Sequence, residues 1–238
     1  MIVVPAIDLR GGRCVRLAQG AAESETRYDD DPVARARAFA SVGAQRLHVV
    51  DLDGALGTGE NRKVLGEICS AVDVPVEFGG GVRSAGDVRD LFAAGVRHVI
   101  LGTMLVEEPA ASRALVEEHG DRLIAGVDAR GEHVAVRGWI RSSPLGRDEF
   151  VRELASWGFT RIIFTEIARD GMGTGYDIEA TAHVAALTPM RVTASGGAKT
   201  VVDLKELVAG VPSNVDMAIV GRALYDGTID LSEALVSV

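Results

Sequence analysis

Two aspartates stand at comparable places in the two halves of the chain. Asp8 and Asp128 each end a short apolar run, and 120 residues separate them. A carboxylate at the end of a buried strand needs a partner, which could be a helix N-terminus, an arginine such as Arg16, or a substrate. Because two facing carboxylates can act as acid and base when their surroundings separate their pKa values, we favour proton transfer for this pair.

Glycine clusters also recur between the two halves. Gly80 lies 116 residues before Gly196, and Gly102 lies 119 residues before Gly221. Glycine lets the backbone approach a ligand without a Cβ, and the N–H groups that follow it suit a phosphate. A single pair would be typical of an ordinary turn, but a repeated set favours two phosphate sites. The predicted phosphate-binding residues are Gly80, Gly81, Gly102 and Thr103 in the first half and Gly196, Gly197, Gly221 and Arg222 in the second.

Four further residues could serve the same site or the fold alone. Asp51 could bind a ligand, orient its loop or pair with an arginine, and Asp170 could reach the site or hold a turn. Thr165 could donate a hydrogen bond to a reacting group or cap the end of a strand. Trp139 lies in a loop, where its ring could stack on a planar substrate or pack in the core.

The elements that would position these residues alternate regularly. Eight short apolar runs, rich in β-branched residues, are each followed by a helical stretch, which is typical of a parallel sheet covered by helices. Every run ends in a small or polar residue, as the catalytic face of a barrel enzyme does. We therefore predict one (β/α)8 TIM barrel over residues 1–238, built from half-barrels of about 1–120 and 121–238. The runs are 2–7, 46–50, 74–78, 98–101, 123–127, 161–164, 191–194 and 215–220.

Composition limits the classes of partner. The 238 residues include 28 glycines, are 47% hydrophobic and carry a formal net charge of −9, which disfavours nucleic acid and membrane surfaces. The five histidines are scattered, so no metal site is expected. Two cysteines without a signal peptide favour a reducing cytoplasm. We expect a monomer that binds a small molecule, with loops around 18–30 and 137–146 long enough to close over it.

Eight motifs occur in order along the whole chain. They are VPAIDL at 4–9, GRCVRL at 12–17, HVVDLD at 48–53, GGGVR at 79–83, TEI at 165–167, DG at 170–171, SGG at 195–197 and IVGRAL at 219–224. Together they resemble the phosphoribosylformimino-5-aminoimidazole carboxamide ribotide isomerases of histidine biosynthesis. One difference is Met172 after Asp170-Gly171, where that family usually has threonine. The resemblance implies a substrate with two phosphates and an aldose-to-ketose (Amadori) rearrangement without metal or cofactor.

The resemblance also implies roles for individual residues. Asp8 would be the general base that takes the proton from ribose C2, and Asp128 the general acid that protonates the ring oxygen. Thr165 and Asp170 would assist, and Trp139 would stack on the aminoimidazole. The predicted substrate-binding residues are Arg16, Asp51, Arg83, Arg137 and Trp139.

Three other functions remain open from the sequence. A dual-substrate actinobacterial branch also isomerises phosphoribosylanthranilate, and Arg13, Arg16 and the sequence from Arg137 to Trp139 resemble it. The sister cyclase shares the barrel but has cysteine where Ala6 stands and lacks the Gly-Trp loop. A non-catalytic phosphosugar-binding barrel would keep the glycine sites and would need neither aspartate.

Overall fold

The computed structural model describes residues 1–18 and 21–238, and the side chains of these residues except 16–18, 21–24 and 142. Strands and helices alternate along the chain, as the apolar runs predict. The strands are β1 (Ile2–Arg10), β2 (Arg13–Ala18), β3 (Ala21–Asp29), β4 (Leu47–Asp51), β5 (Val76–Gly79), β6 (His98–Leu101), β7 (Leu123–Arg130), β8 (His133–Val136), β9 (Arg141–Gly146), β10 (Arg161–Glu166), β11 (Arg191–Ser195) and β12 (Val215–Val220).

Eight of these strands form a closed parallel barrel. Their order is β1-β4-β5-β6-β7-β10-β11-β12, and β12 returns to pair with β1. Every described neighbouring pair is parallel, because a helical connection carries the chain back to the start of the next strand. The prediction of a (β/α)8 TIM barrel is confirmed, and β1 lies opposite β7 across the barrel axis.

Helices cover the outside of the barrel. Short additional helices follow β4, β6 and β12, beside the single long helix that the sequence predicts after each strand. Asp31 begins the first helix, since its carboxylate accepts a hydrogen bond from Ala34 N and Pro32 follows it. The helices are α1 (Pro32–Val42), α2 (Leu52–Leu56), α3 (Arg62–Ala71), α4 (Ala85–Ala93), α5 (Thr103–Glu107), α6 (Pro109–His119), α7 (Arg147–Ser156), α8 (Ile178–Ala186), α9 (Val201–Gly210), α10 (Arg222–Tyr225) and α11 (Leu231–Ser237).

Two antiparallel insertions stand where loops were expected. Strands β2 and β3 pair after β1, and strands β8 and β9 pair after β7. The expectation of loops at 18–30 and 137–146 is therefore wrong for the parts within β3 and β9. Both insertions follow opposite strands of the barrel, so they repeat the two-fold pattern seen in the glycines.

Apolar side chains fill two separate layers. The larger cluster lies between the strands and the helices, whereas a smaller one, which includes Val4, Ile100 and Ile163, fills the barrel interior. Residues that alternate along a strand therefore face either the helices or the axis. Among the described helices, none combines the length and the apolar character that crossing a membrane would need.

Candidate active site at the carboxyl ends of the barrel strands

A cavity of about 850 Å³ opens at the carboxyl ends of the barrel strands. Barrel enzymes keep their active sites at this end because the eight loops that follow the strands converge there. The structure brings most of the predicted site residues to its lining. These are Asp8, Gly80, Gly81, Arg83, Gly102, Thr103, Asp128, Arg137, Trp139, Thr165, Asp170, Gly196, Gly197, Gly221 and Arg222.

The two aspartates lie on opposite strands of the barrel. Asp8 is 7% exposed near the end of β1, and Asp128 is partly exposed to the cavity from β7. Burial raises the pKa of Asp128, although hydrogen bonds from the side chains of Trp139 and Thr165 act in the opposite direction. A carboxyl group with a raised pKa stays protonated at a higher pH than an ordinary one, so Asp128 is suited to donate a proton.

Trp139 and Thr165 reach Asp128 from two different elements. Thr165 lies directly beside Asp128 in the pairing of β10 with β7, and it is 5% exposed. Trp139 comes from the segment between β8 and β9, where both it and Arg137 have positive φ angles, of 70° and 56°. Such angles are uncommon for residues with a Cβ and are concentrated at functional sites. The hydrogen bond of Trp139 to Asp128 accompanies this backbone conformation.

The first glycine cluster brings the backbone of two loops into direct contact. Gly80 has a φ of 102°, and a Cβ there would lie 2.2 Å from the carbonyl oxygen of Asp51. A Cβ at Gly81 would lie 2.8 Å from the Cα of Gly54. Only glycine fits these positions, because any side chain would displace the loop that follows β4.

The second cluster repeats this arrangement on the opposite side of the barrel. Gly197 has a φ of 106°, and a Cβ there would lie 2.2 Å from the carbonyl oxygen of Gly175. Gly196 has a φ of 89°, and its Cβ would lie 3.2 Å from the carbonyl oxygen of Glu166. Both clusters therefore follow the third strand of a half-barrel and pack against the loop of the strand before it.

Each cluster is completed by the glycine after the next strand. Gly102 precedes α5 with φ −118° and ψ −96°, and Gly221 precedes α10 with φ −107° and ψ −100°. The two residues share one backbone conformation at two-fold related places. Thr103 accepts a hydrogen bond from Arg137 N at 2.8 Å, and Arg222 donates one to the carbonyl oxygen of Gly171 at 2.7 Å. Side chains of the predicted phosphate sites thus hold neighbouring loops.

Two predicted residues, Asp51 and Arg16, are not among the described residues that line the cavity, while Asp170 lies at its wall. Asp51 is not among the residues that line the cavity, because it faces the helices, where its carboxylate accepts hydrogen bonds from Gly54 N and from Asn61. The side chain of Arg16 lies outside the described part of the chain. Asp170 is 5% exposed at the cavity wall, and its backbone lies 3.4 Å from the position of a Cβ on Gly196.

Sequence reasoning missed four titratable residues of the cavity lining, which are His48, Glu107, Glu108 and Arg141. His48 lines the cavity from β4, together with Val50. The scattered spacing of the histidines hides this residue, but strand alternation could have found it, since His48 and Val50 face the axis while Asp51 faces away. Among the described residues, no group of three or more His, Cys, Asp or Glu side chains is arranged to hold a metal ion.

Comparison with known proteins gives the family. The family model described as "Histidine biosynthesis protein" matches residues 2–230. The chain is 46% identical to a protein of Desulforudis audaxviator over 99% of its own length and 90% of the relative's. For a protein of Moorella thermoacetica the values are 45%, 99% and 97%.

Both relatives are named 1-(5-phosphoribosyl)-5-((5-phosphoribosylamino)methylideneamino) imidazole-4-carboxamide isomerase. A protein of Parasynechococcus marenigrum with the same name is 46% identical over 99% of this chain and 92% of the relative. The resemblance seen in the sequence motifs is confirmed. The chain is a member of the histidine biosynthesis protein family, within the part of it that these isomerases represent.

Proposed function

We propose that this chain isomerises the compound for which its relatives are named, converting the aminoaldose end of the molecule to an aminoketose. The observation that carries the proposal is the placement of Asp8 and Asp128 on opposite strands, across one cavity that has a glycine cradle on each of its other two sides. A substrate with a phosphate at each end fits this symmetry, because its reacting sugar would lie between the carboxylates.

The two carboxylates divide the proton transfers. Asp128 gives its proton to the ring oxygen of the ribose, and the ring opens as the bond from that oxygen to C1′ breaks. Asp8 then takes the hydrogen from C2′, and the electron pair of that bond forms the C1′–C2′ double bond of an enaminol. The raised pKa of Asp128 supports its role as the acid. Thr165 holds Asp128 in place through its hydroxyl group.

The glycine cradles hold the phosphates mainly with backbone N–H groups, and Arg222 adds one charged side chain to the second cradle. The first is formed by Gly80, Gly81, Gly102 and Thr103, and the second by Gly196, Gly197, Gly221 and Arg222. An acidic chain can bind anions in this way, because the donors are local dipoles. Trp139 stacks on the aminoimidazole ring, while Arg16, Asp51, Arg83 and Arg137 orient the substrate, Asp51 by fixing the loop that Gly80 packs against. Asp170 assists from the cavity wall.

We further propose that the chain acts as a monomer in the cytoplasm. The candidate acid, base and phosphate-binding residues all line one cavity of one chain, so no second copy is required to complete the site. Cys14 and Cys69 are free thiols, which accords with a reducing compartment. The partner is a small molecule, not a nucleic acid or a membrane.

A steady-state assay of the purified protein with two substrates tests the proposal. We expect turnover of the imidazole carboxamide substrate, followed by absorbance, and inhibition of this turnover by the ketose product. Turnover of phosphoribosylanthranilate as well would assign the chain to the dual-substrate branch. Binding of the first substrate without any turnover would contradict the proposal and support a phosphosugar-binding barrel.

A further inference from the structure

A buried carboxylate joins the base of the barrel to the cavity. Glu77 on β5 is fully buried, and its two oxygens are used by two different partners. Oε2 accepts a hydrogen bond from Arg46 Nη1 at 2.9 Å, and Oε1 lies 2.8 Å from His48 Nδ1. Burial opposes ionisation, but hydrogen bonds and electrostatic interactions with His48 and Arg46 together hold the pKa of Glu77 below its usual range. Glu77 is therefore an anion that accepts the Nδ1 hydrogen.

This contact fixes the direction of the imidazole. Nδ1 is occupied by Glu77, so the Nε2 edge is the one that His48 can present to the cavity that it lines. In the pairing of β1 with β4, His48 stands beside Ala6, two residues deeper than Asp8. His48 also interacts electrostatically with Asp128, on the opposite strand. His48 thus lies on the floor of the cavity, below the level of Asp8.

The second half of the barrel shows that packing does not require this pair. Arg161 occupies the position of Arg46 at the base of the second half, and it pairs with Asp216 at 2.6 Å and with Thr193 Oγ1 at 3.1 Å. Thr193 stands where Glu77 stands in the first half, 116 residues earlier. Ile163, an apolar residue of the interior cluster, takes the place of His48. The first half of the barrel therefore has a carboxylate and an imidazole between its base and the cavity floor. The second half forms its part of the barrel without them.

We propose that His48 is a third proton-transfer residue, which accepts the hydroxyl proton of C2′ when the enaminol becomes the ketone, and that Glu77 is its positioning residue. The inference rests on the proposed function. A neutral imidazole that donates from Nδ1 to Glu77 has a lone pair on Nε2, which is the acceptor this step needs.

The step balances with the two carboxylates. The O–H bond at C2′ breaks, its proton goes to Nε2, and its electron pair forms the C2′ carbonyl group. The electron pair of the C1′–C2′ double bond takes a proton from Asp8 at C1′, which returns Asp8 to its starting form. The proton on His48 then replaces the one that Asp128 gave to the ring oxygen. The product is an isomer, and all three residues are restored.

Charged and titratable groups surround His48 on several elements. They are Arg46 on its own side, Glu77 on β5, His98 beside Glu77 on β6, Asp8 on β1 and Asp128 on β7. The nearest is Glu77, whose Oε1 lies 2.8 Å from His48 Nδ1 and therefore fixes the orientation of the ring.

The test compares two variants with a matched control in the other half of the barrel. In His48→Gln the amide can still donate to Glu77 and accept a hydrogen bond from substrate, but it cannot take a proton. We expect kcat to fall by about 10²-fold or more, with a much smaller change in KM. Glu77→Gln is expected to lower kcat with a much smaller change in KM, because the amide no longer holds the Nδ1 hydrogen of His48 as the carboxylate does. Asp216→Asn breaks the half-buried ion pair of Arg161 with Asp216 in the other half of the barrel. This variant is expected to lower thermal stability while kcat stays at the wild-type level.

The outcomes separate this inference from the proposed function. If the wild-type protein turns the substrate over and His48→Gln keeps a kcat within about threefold of wild type, the inference about His48 is overturned and the proposed function is not. Loss of kcat in Asp216→Asn equal to that in Glu77→Gln would also overturn it, because both would then act through stability. A wild-type protein without turnover would overturn both proposals. If Glu77→Gln does not fold, the kcat of His48→Gln alone decides whether His48 is a proton-transfer residue.

Discussion

Replacement of Gly80 by alanine should damage both the fold and the first phosphate cradle. The new Cβ would lie 2.2 Å from the carbonyl oxygen of Asp51, whereas ordinary contacts begin at 3.4 Å, so the loop must move by about 1 Å. Overpacking costs about 1–3 kcal/mol, and a φ of 102° adds about 1–2 kcal/mol for a residue with a Cβ. We therefore expect the free energy of unfolding to fall by about 2–5 kcal/mol, and Tm by about 4–20 °C. A displacement of this size in a positioning loop is also expected to lower kcat/KM by about 10²-fold.

Urea unfolding and steady-state kinetics of Gly80→Ala measure both effects. Gly66→Ala is the matched control, since Gly66 lies within α3 and a Cβ there meets no atom within 4 Å. Alanine is favoured over glycine inside a helix, so this control should gain about 0.5–1 kcal/mol and keep its activity. Equal free energies of unfolding and equal kcat/KM values for the two variants would refute the argument that Gly80 is fixed by a close approach.

Two further predictions concern pH. Trp139→Phe removes a hydrogen bond that lowers the pKa of Asp128, so the alkaline limb of the pH profile of kcat should move to higher pH. An alkaline limb that stays in place or moves to lower pH would contradict this prediction. Burial lowers the pKa of His98 from 6.5 to about 4, so His98 is neutral in the fold, and its contribution to stability is lost as pH falls from about 6.5 to about 4. After allowance for its partial exposure, wild type should lose about 1–2 kcal/mol more than His98→Gln over that range in urea unfolding, and equal losses would refute the assignment.

The barrel could be predicted from the sequence because its strands are buried on both faces. Continuous apolar runs such as Ile2–Ile7 have one plausible environment, and the residue after each run marks the catalytic end. The strand β3 could not be found in this way. Its sequence, AAESETRYD, is polar and lies outside the barrel, so its pairing with β2 depends on the tertiary arrangement rather than on an apolar pattern.

Site residues could be predicted where the two halves of the chain repeat one chemical pattern. Prediction was less successful where the direction of a side chain decides whether it reaches the cavity. Asp8 and Asp128 recur at matched strand ends, and both line the cavity. Asp51 carries the same signal but faces the helices, because it lies one residue beyond the last inward position of β4. His48 begins the HVVDLD motif, but the motif does not show the direction of its side chain, which its contact with Glu77 on the neighbouring strand does.

The kcat of Asp8→Asn and Asp128→Asn on the imidazole carboxamide substrate tests the assignment of the two aspartates most directly. Asparagine keeps the size of each side chain and removes its ability to exchange a proton. Each variant should fold like wild type and lose about 10²-fold or more in kcat, because each proton transfer then lacks its donor or acceptor. A folded Asp8→Asn variant that keeps kcat within about tenfold of wild type would contradict the role of Asp8 as the general base.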